Sequence, residues 1–124
     1  MVDVVVDASA LGALLFGEPE AEAVAAQLAG KVLAAPTLLD FELANICVIK
    51  LRRFPRRRDA LLSGYALRST LMIDRIEVDH AAVIDLAEKA QLTAYDASYL
   101  WLARELDAAL VTLDKALARA LASI

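Results

Sequence analysis

Four short runs of apolar residues along the chain are typical of buried β-strands. The run Val4–Val6 is β-branched throughout, which indicates a strand covered on both faces, as in a parallel sheet. The same pattern predicts strands at Lys31–Ala35, Ile73–Val78 and Ala108–Thr112.

The segments between these runs carry apolar residues at helical spacing. They predict helices at Ala8–Phe16, Pro19–Leu28, Thr37–Arg53, Arg56–Thr70, Ala81–Gln91, Tyr95–Leu106 and Asp114–Ala122. Gly17 and Pro55 are placed to end helices, and Asp79 is placed to cap one. Strands that alternate with helices in this way predict an α/β domain with a mainly parallel sheet and right-handed crossovers.

Length and composition indicate a single folded domain over residues 1–124. The chain has 124 residues, about the size of one domain, and 60% of them are hydrophobic and 24% charged. With only four Gly and three Pro, it does not have the composition of a disordered or collagen-like chain. A formal net charge of −4 argues against a general nucleic-acid coat protein, which carries a basic surface.

The single cysteine and the amino terminus both favour a soluble, cytoplasmic protein. Cys47 lies in an apolar stretch, which predicts a buried thiol, and it has no second cysteine for an intrachain disulfide. The amino terminus lacks the basic segment and the long apolar segment of a signal peptide. No apolar run approaches the roughly 18 residues of a membrane helix, so we expect no membrane association.

Two acidic residues follow predicted strands, at the sheet edge where open α/β domains bind ligands. Asp7 comes directly after the first strand, and Asp114 follows the last one. Each also has an ordinary structural explanation, because an aspartate at a strand-to-helix turn commonly caps the helix.

A third acid, Glu42, lies near the start of an almost wholly apolar helix. Asn45 follows three residues later on the same helical face, so this polar pair needs partners if the helix is buried. The neighbouring Asp40 is explained differently, because its spacing from Thr37 is that of a capping box.

A fourth acid, Asp96, follows Thr93 by three residues, which is also the spacing of a capping box. Asp96 is therefore as consistent with a helix cap as with a functional site. If the four acids converge, their like charges raise one another's pKa values unless a cation neutralises them. The four are Asp7, Glu42, Asp96 and Asp114. Oxygen ligands without His or Cys favour Mg²⁺ or Mn²⁺ over zinc.

The scarcity of other reactive side chains argues against several enzyme classes. His80 is the only histidine, and its place beside Asp79 at a helix start does not suit a Ser-His-acid triad. The sequence has no glycine-rich phosphate loop or dinucleotide fingerprint, and Asp7 lacks the neighbouring acid of a phospho-acceptor receiver domain. Metal-assisted hydrolysis of a phosphate ester is the reaction that remains.

Four stretches of the chain, 4–9, 36–45, 92–103 and 110–114, resemble in order and spacing the four acidic motifs of the PIN-domain ribonucleases. Above all they resemble those of the VapC toxins of prokaryotic toxin–antitoxin pairs. Each motif is weak alone, but four in register across one small domain form a specific signal. The resemblance covers nearly the whole chain.

The resemblance implies an α/β/α sandwich around a short, mainly parallel sheet of four strands, or five if the chain end adds one. It implies that Asp7, Glu42, Asp96 and Asp114 line a metal pocket, with Ser9 and Thr112 helping to shape it. The implied reaction is endonucleolytic cleavage of RNA by metal-activated water. The implied partners are an RNA substrate, a cognate antitoxin and a second copy in a homodimer.

Six basic residues are concentrated around Pro55: Lys50, Arg52, Arg53, Arg56, Arg57 and Arg58. They form either a solvated turn between two helices or a patch that contacts RNA phosphates or an acidic antitoxin segment, since arginine pairs with phosphate and carboxylate alike. The family resemblance favours the antitoxin.

Six apolar residues on two helices are candidates for an exposed face that binds a partner: Leu11, Leu14, Leu15, Leu43, Ile46 and Ile49. A small domain buries a smaller fraction of its surface, and a large exposed apolar patch usually marks an interface. The alternative is that these residues belong to the core.

Two other functions stay open at this point. One is a PIN-like nuclease of housekeeping RNA processing without an antitoxin. The other is a non-catalytic protein-binding module whose acids only cap helices.

Overall fold

All four strands run in the same direction in the computed structural model, which describes residues 1–123. The strands are β1 (Val4–Val6), β2 (Leu33–Pro36), β3 (Ile73–Ile76) and β4 (Ala109–Val111). The helices of the described chain are α1 (Ala8–Leu15), α2 (Ala21–Leu28), α3 (Leu39–Arg53), α4 (Arg58–Ala66), α5 (His80–Ala90), α6 (Ala94–Glu105) and α7 (Lys115–Ala122). The predicted fold class is therefore confirmed, with four strands; the last residue, 124, lies outside the described range.

The strand order, β3-β2-β1-β4, places β1 inside the sheet. Val4, for example, pairs with Leu33 on one side and Ala109 on the other, and all three valines of β1 are buried. The chain moves from β1 to β2 and β3 in one direction, and β4 then pairs on the opposite side of β1. The crevice between the carboxyl ends of β1 and β4 is therefore the switch point at which open α/β sheets bind ligands.

Three of the six apolar candidates belong to the buried core. Leu11, Leu15 and Leu43 are buried, so the expectation of an exposed face is wrong for these three. Leu14 and Ile46 are half-buried, and Ile49 is exposed. Cys47 is buried and free, as predicted. Within residues 1–123, no helix has the length and apolarity needed to cross a membrane.

The capping box predicted for Asp40 is wrong. The backbone N–H of Thr37 donates to the carbonyl of Ile76 and so continues the pairing of β2 with β3, and α3 begins two residues later without a side-chain cap. The Asp40 carboxylate instead accepts two hydrogen bonds from the Arg75 guanidinium, at 3.0 and 3.2 Å, and lies 3.2 Å from Nε of Arg68. The hydrogen bonds from Arg75 are the main reason that the pKa of Asp40 is lowered.

The helix predicted over 56–70 is shorter in the structure. Only α4 is α-helical, and 3₁₀ turns at Pro55–Arg57 and Leu67–Thr70 flank it. The hydroxyls of Ser69 and Thr70 donate to backbone carbonyls three residues earlier, which competes with continued α-helix.

Gly64 lets α4 approach the end of α1. A Cβ atom on Gly64 would overlap the carbonyl oxygen of Leu15 and touch the ring of Phe16 at 3.4 Å. The contact is against backbone, which cannot rotate away as a side chain can.

We expect Gly64→Ala to lower the free energy of unfolding by about 1–3 kcal/mol, the usual cost of overpacking. At an exposed helix position the same substitution has the opposite effect, because alanine there raises the free energy of unfolding by roughly 1 kcal/mol relative to glycine. Urea unfolding followed by circular dichroism measures the change, and Ser63→Ala, at the exposed neighbouring position, is the matched control. A Gly64→Ala protein as stable as the wild type would show that the helices are not packed this closely.

Candidate active site

Asp7 is a buried carboxylate at the carboxyl end of β1, with a relative exposure of 4%. Its Oδ1 accepts hydrogen bonds from the backbone N–H of Ala10 at 2.9 Å and from Oγ of Ser9 at 2.7 Å. Its Oδ2 accepts a hydrogen bond from the hydroxyl of Thr112. Asp7 therefore caps α1, which is the structural role that an aspartate at a strand-to-helix turn commonly has. It also reaches the switch point between β1 and β4.

Two hydroxyls join the start of α1 to the segment that follows β4. Oγ1 of Thr112 accepts a hydrogen bond from the backbone N–H of Asp114 at 2.9 Å, and Oγ of Ser9 accepts one from that of Leu113 at 2.9 Å. Asp114 in turn caps α7, because its Oδ1 accepts from the N–H of Leu117 at 2.9 Å. The supporting hydroxyls thus fix the positions of two of the acids relative to each other.

Glu42 is held by a tyrosine that the sequence analysis left without a role. The hydroxyl of Tyr99, a buried residue of α6, donates to Oε1 of Glu42 on α3 at 2.5 Å. Burial and the neighbouring Glu42 carboxylate raise the pKa of Tyr99. One signal in the sequence points to Tyr99: it follows Asp96 by three residues, which places both on one face of α6.

Asp96 is half-buried in the first turn of α6, where Thr93 caps the helix by accepting from the Asp96 N–H at 3.1 Å. The cap that the sequence predicts here is therefore present. It uses the Thr93 side chain and the Asp96 backbone, so the Asp96 carboxylate is available to the cleft that it lines.

A cleft of about 540 Å³ at the switch point brings the predicted site residues together. Its polar lining consists of Asp7, Ser9, Glu42, Asn45, Asp96, Tyr99 and Asp114. Thr112 reaches the site through its hydrogen bond to Asp7, and the arginines around Pro55 do not line the cleft. Two aromatic residues that the sequence analysis did not single out lie at its border: Phe41 is 83% exposed and Tyr95 is 65% exposed.

The acids of the cleft destabilise one another's charges. Burial is the main reason that the pKa values of Asp7, Glu42 and Asp96 are raised. Repulsion between the carboxylates adds to each shift, from Asp114 on Asp7, from Asp96 and Asp7 on Glu42, and from Asp114 and Asp7 on Asp96. A cation in the cleft would relieve this repulsion.

The donor set of the cleft suits a hydrated hard cation. Its ligating side chains offer carboxylate, amide and hydroxyl oxygens, and neither His80 nor Cys47 lines it. Among residues 1–123, no three His, Cys, Asp or Glu side chains are placed as a ready cage for one ion. Mg²⁺ does not require such a cage, because it keeps several waters and binds through one or two carboxylates together with substrate phosphates.

Comparison with known proteins shows the family to which this chain is related. The model of the PIN domain matches residues 4–121. VapC ribonuclease Mb0985 of Mycobacterium bovis and ribonuclease VapC9 of Mycobacterium tuberculosis are each 38% identical to this chain over 116 residues, which cover 90% of this chain and 85% of the relative.

Two solved structures share the fold. PAE2754 from Pyrobaculum aerophilum aligns with a TM-score of 0.78 and 28% identity, over 96% of this chain and 84% of its own. VapC20 of Mycobacterium tuberculosis, a toxin that cleaves the sarcin-ricin loop, aligns with a TM-score of 0.64 and 20% identity, over 95% of both chains. The α/β/α arrangement predicted from the sequence is therefore confirmed.

The raised pKa of Glu42 predicts how its removal changes stability. Because the folded-state pKa lies above the ordinary 4.5, ionisation of Glu42 costs stability as pH rises through that pKa. Glu42→Gln keeps an oxygen for the Tyr99 hydroxyl and removes the charge, so without metal it should melt a few degrees above the wild type at pH of about 8. Below pH 4.5 the difference should disappear, because Glu42 is then protonated.

Thermal unfolding in EDTA at the two pH values tests this expectation, with Glu77→Gln as the control at an exposed position. A Glu42→Gln protein that is less stable than the wild type at pH 8 would mean that the carboxylate is stabilised by a partner other than Tyr99.

Proposed function

The chain belongs to the PIN-domain family and, within it, to the VapC ribonucleases, and from this premise we propose that it is a metal-dependent endoribonuclease that acts as the toxin of a toxin–antitoxin pair. The family resemblance found in the sequence is confirmed by the same matches. One observation carries the proposed chemistry: four acids from different parts of the chain line one cleft at the switch point of the sheet.

The proposed metal-binding acids are Asp7, Glu42, Asp96 and Asp114, which would hold Mg²⁺ or Mn²⁺ either directly or through its waters. When bound, such an ion activates water and neutralises negative charge that develops on the phosphate. Ser9 and Thr112 hold the Asp7 carboxylate in place by donating to its two oxygens. Tyr99 engages one oxygen of Glu42, and the amide of Asn45 lies in the cleft as a hydrogen-bond partner for substrate or water.

The proposed antitoxin surface runs from the cleft along α3. A groove of about 260 Å³ is lined by Glu18, Ile49, Lys50, Arg53 and Phe54, with Lys50 paired to Glu18. Ile46 borders both this groove and the acidic cleft. Ile49 and Phe54 are exposed, which suits an apolar side chain of a partner.

Of the five arginines around Pro55, Arg53 lines this groove and the other four do not. Arg52, Arg53, Arg56, Arg57 and Arg58 are all exposed. Arg52 follows Glu42 by ten residues of one helix, about 15 Å along its axis, too far to touch a phosphate in the cleft. We therefore assign the arginines to an acidic segment of the antitoxin, and a homodimer remains a prediction.

Removal of one acid should abolish cleavage without unfolding the protein. We expect Asp96→Asn to lower the rate of RNA cleavage in Mg²⁺ by at least about 100-fold, because it removes a proposed ligand while the backbone N–H still donates to Thr93. Millimolar Mn²⁺ should raise the melting temperature of the wild type and leave that of Asp96→Asn unchanged.

The control for this experiment is Asp74→Asn, which removes an exposed aspartate outside the cleft. Full cleavage by Asp96→Asn would remove Asp96 from the catalytic site. A wild type that shows neither RNA cleavage nor stabilisation by metal would refute the proposed reaction.

The arginines should affect inhibition more than cleavage. We expect replacement of Arg56, Arg57 and Arg58 by alanine to leave the cleavage rate within about twofold and to weaken inhibition by the co-expressed antitoxin roughly tenfold or more, through lost pairing with carboxylates. Titration of cleavage activity with antitoxin measures both. A large loss of cleavage with unchanged inhibition would assign the arginines to RNA instead.

A further inference from the structure

A second cavity, of about 320 Å³, lies beside the acidic cleft, and Tyr95 borders both. It is formed where Thr37 and Leu38 follow β2, where Val78 follows β3, and by the first turns of α5 and α6. Since all strands are parallel, it lies at the same carboxyl edge of the sheet as the cleft. A ligand that extends along this edge from β1 toward β3 would pass from the cleft into the cavity.

The lining of this cavity differs in character from that of the cleft. Among residues 1–123, no carboxylate, lysine or arginine lines it. Its inner part is apolar, with Leu38, Val78 and Val83, and its border carries the exposed hydroxyl of Thr37 and imidazole of His80. A neutral group with apolar faces and polar edges fits such a lining better than a phosphate does.

The residues at the mouth of the cavity add a flat aromatic surface. Tyr95 is 65% exposed, and Ile84 at the opening is 64% exposed. Single-stranded RNA is bound elsewhere by bases that stack on exposed tyrosine rings and hydrogen-bond through their edges. The Tyr95 ring borders the place where the scissile phosphate lies under the proposed function, so one base adjoining that phosphate can reach it.

We propose that this cavity is a nucleobase subsite, which takes a base next to the scissile phosphate by stacking on Tyr95 and by hydrogen bonds to Thr37 or His80. The inference rests on the proposed ribonuclease function and adds a determinant of sequence preference to it. The proposed antitoxin groove meets the cleft through Ile46 and not through Tyr95, so the two surfaces are distinct.

The test is cleavage of a random-sequence RNA pool in Mg²⁺, followed by sequencing of the cleaved ends. Ile84→Trp fills the cavity from an exposed position, and Tyr95→Ala removes the ring. Both should lose the wild-type base preference at one position beside the cut and should raise KM roughly 5- to 100-fold, the range expected for loss of one stacked base. Tyr95→Phe keeps the ring and should keep the preference.

The matched control is Leu67→Trp, which places the same side chain at a position that is 53% exposed and does not line the cavity. It should cleave with the wild-type base preference and KM. Melting curves of all variants check that each is folded, and the exposure of Ile84 and Tyr95 makes unfolding an unexpected result.

A second measurement needs neither metal nor cleavage. The ribonucleoside of 2-aminopurine, which carries no phosphate, is added to the protein in EDTA, and quenching of its fluorescence reports stacking. We expect quenching with the wild type, Tyr95→Phe and Leu67→Trp, and its loss with Ile84→Trp and Tyr95→Ala.

The outcomes separate the two proposals. If the wild type cleaves RNA but Ile84→Trp and Tyr95→Ala keep its base preference, the subsite is refuted and the ribonuclease stands. The subsite is also refuted if Ile84→Trp changes only inhibition by the antitoxin, because the cavity then binds protein and not a base. If the wild type does not cleave RNA, the proposed function fails. If the wild type does not quench the 2-aminopurine fluorescence, the subsite is refuted.

Discussion

Ionisation of Asp7 is the constraint around which the site is arranged, because this carboxylate is buried at the end of an interior strand. Hydrogen bonds from Ser9, Ala10 and Thr112 lower the cost of its charge, yet its pKa stays raised, so they offset the burial only in part. The hydroxyls of Ser9 and Thr112 also accept hydrogen bonds from the backbone N–H groups of Leu113 and Asp114, which ties α1 to the segment after β4 and so positions Asp114. The groups that partly stabilise this buried charge thus also fix the position of a second acid, and a cation in the cleft would relieve the remaining cost.

Helix capping and a place in the site are not alternatives in this fold. Asp7 and Asp114 each cap a helix with one oxygen and still line the cleft. The better distinction is whether an acid has a cation as partner. Asp40 pairs with arginines and its pKa is lowered, whereas Glu42, two residues on, meets only the phenol of Tyr99 and its pKa is raised. Acids of the first kind stabilise the fold, whereas a raised pKa in a cleft marks those of the second kind as candidate site residues.

Local patterns in the sequence predicted the strands and the acids at their ends, because Val4–Val6 and the residue that follows it need no distant information. Interactions between distant residues could not be predicted in the same way. The bond between Tyr99 and Glu42 joins positions 57 residues apart, and nothing in either helix alone specifies it. Thr37 continues a strand because Ile76 pairs with it, which overrides its capping-box spacing to Asp40. Burial of Leu11 and Leu43 likewise depends on how α1 packs against α3.

The distribution of charge bears on how an acidic protein can bind RNA. Four acids line the proposed cleft, and the exposed arginines around Pro55 do not, so the protein's own field opposes a phosphate at the reactive position. Binding there must draw on a cation and on uncharged contacts, of which Phe41 and Tyr95 at the border are the largest exposed ones. An acidic partner meets the opposite field along α3. Since Ile46 borders both groove and cleft, a segment that follows α3 to its amino-terminal half also reaches the acids, so docking and inhibition can be one event.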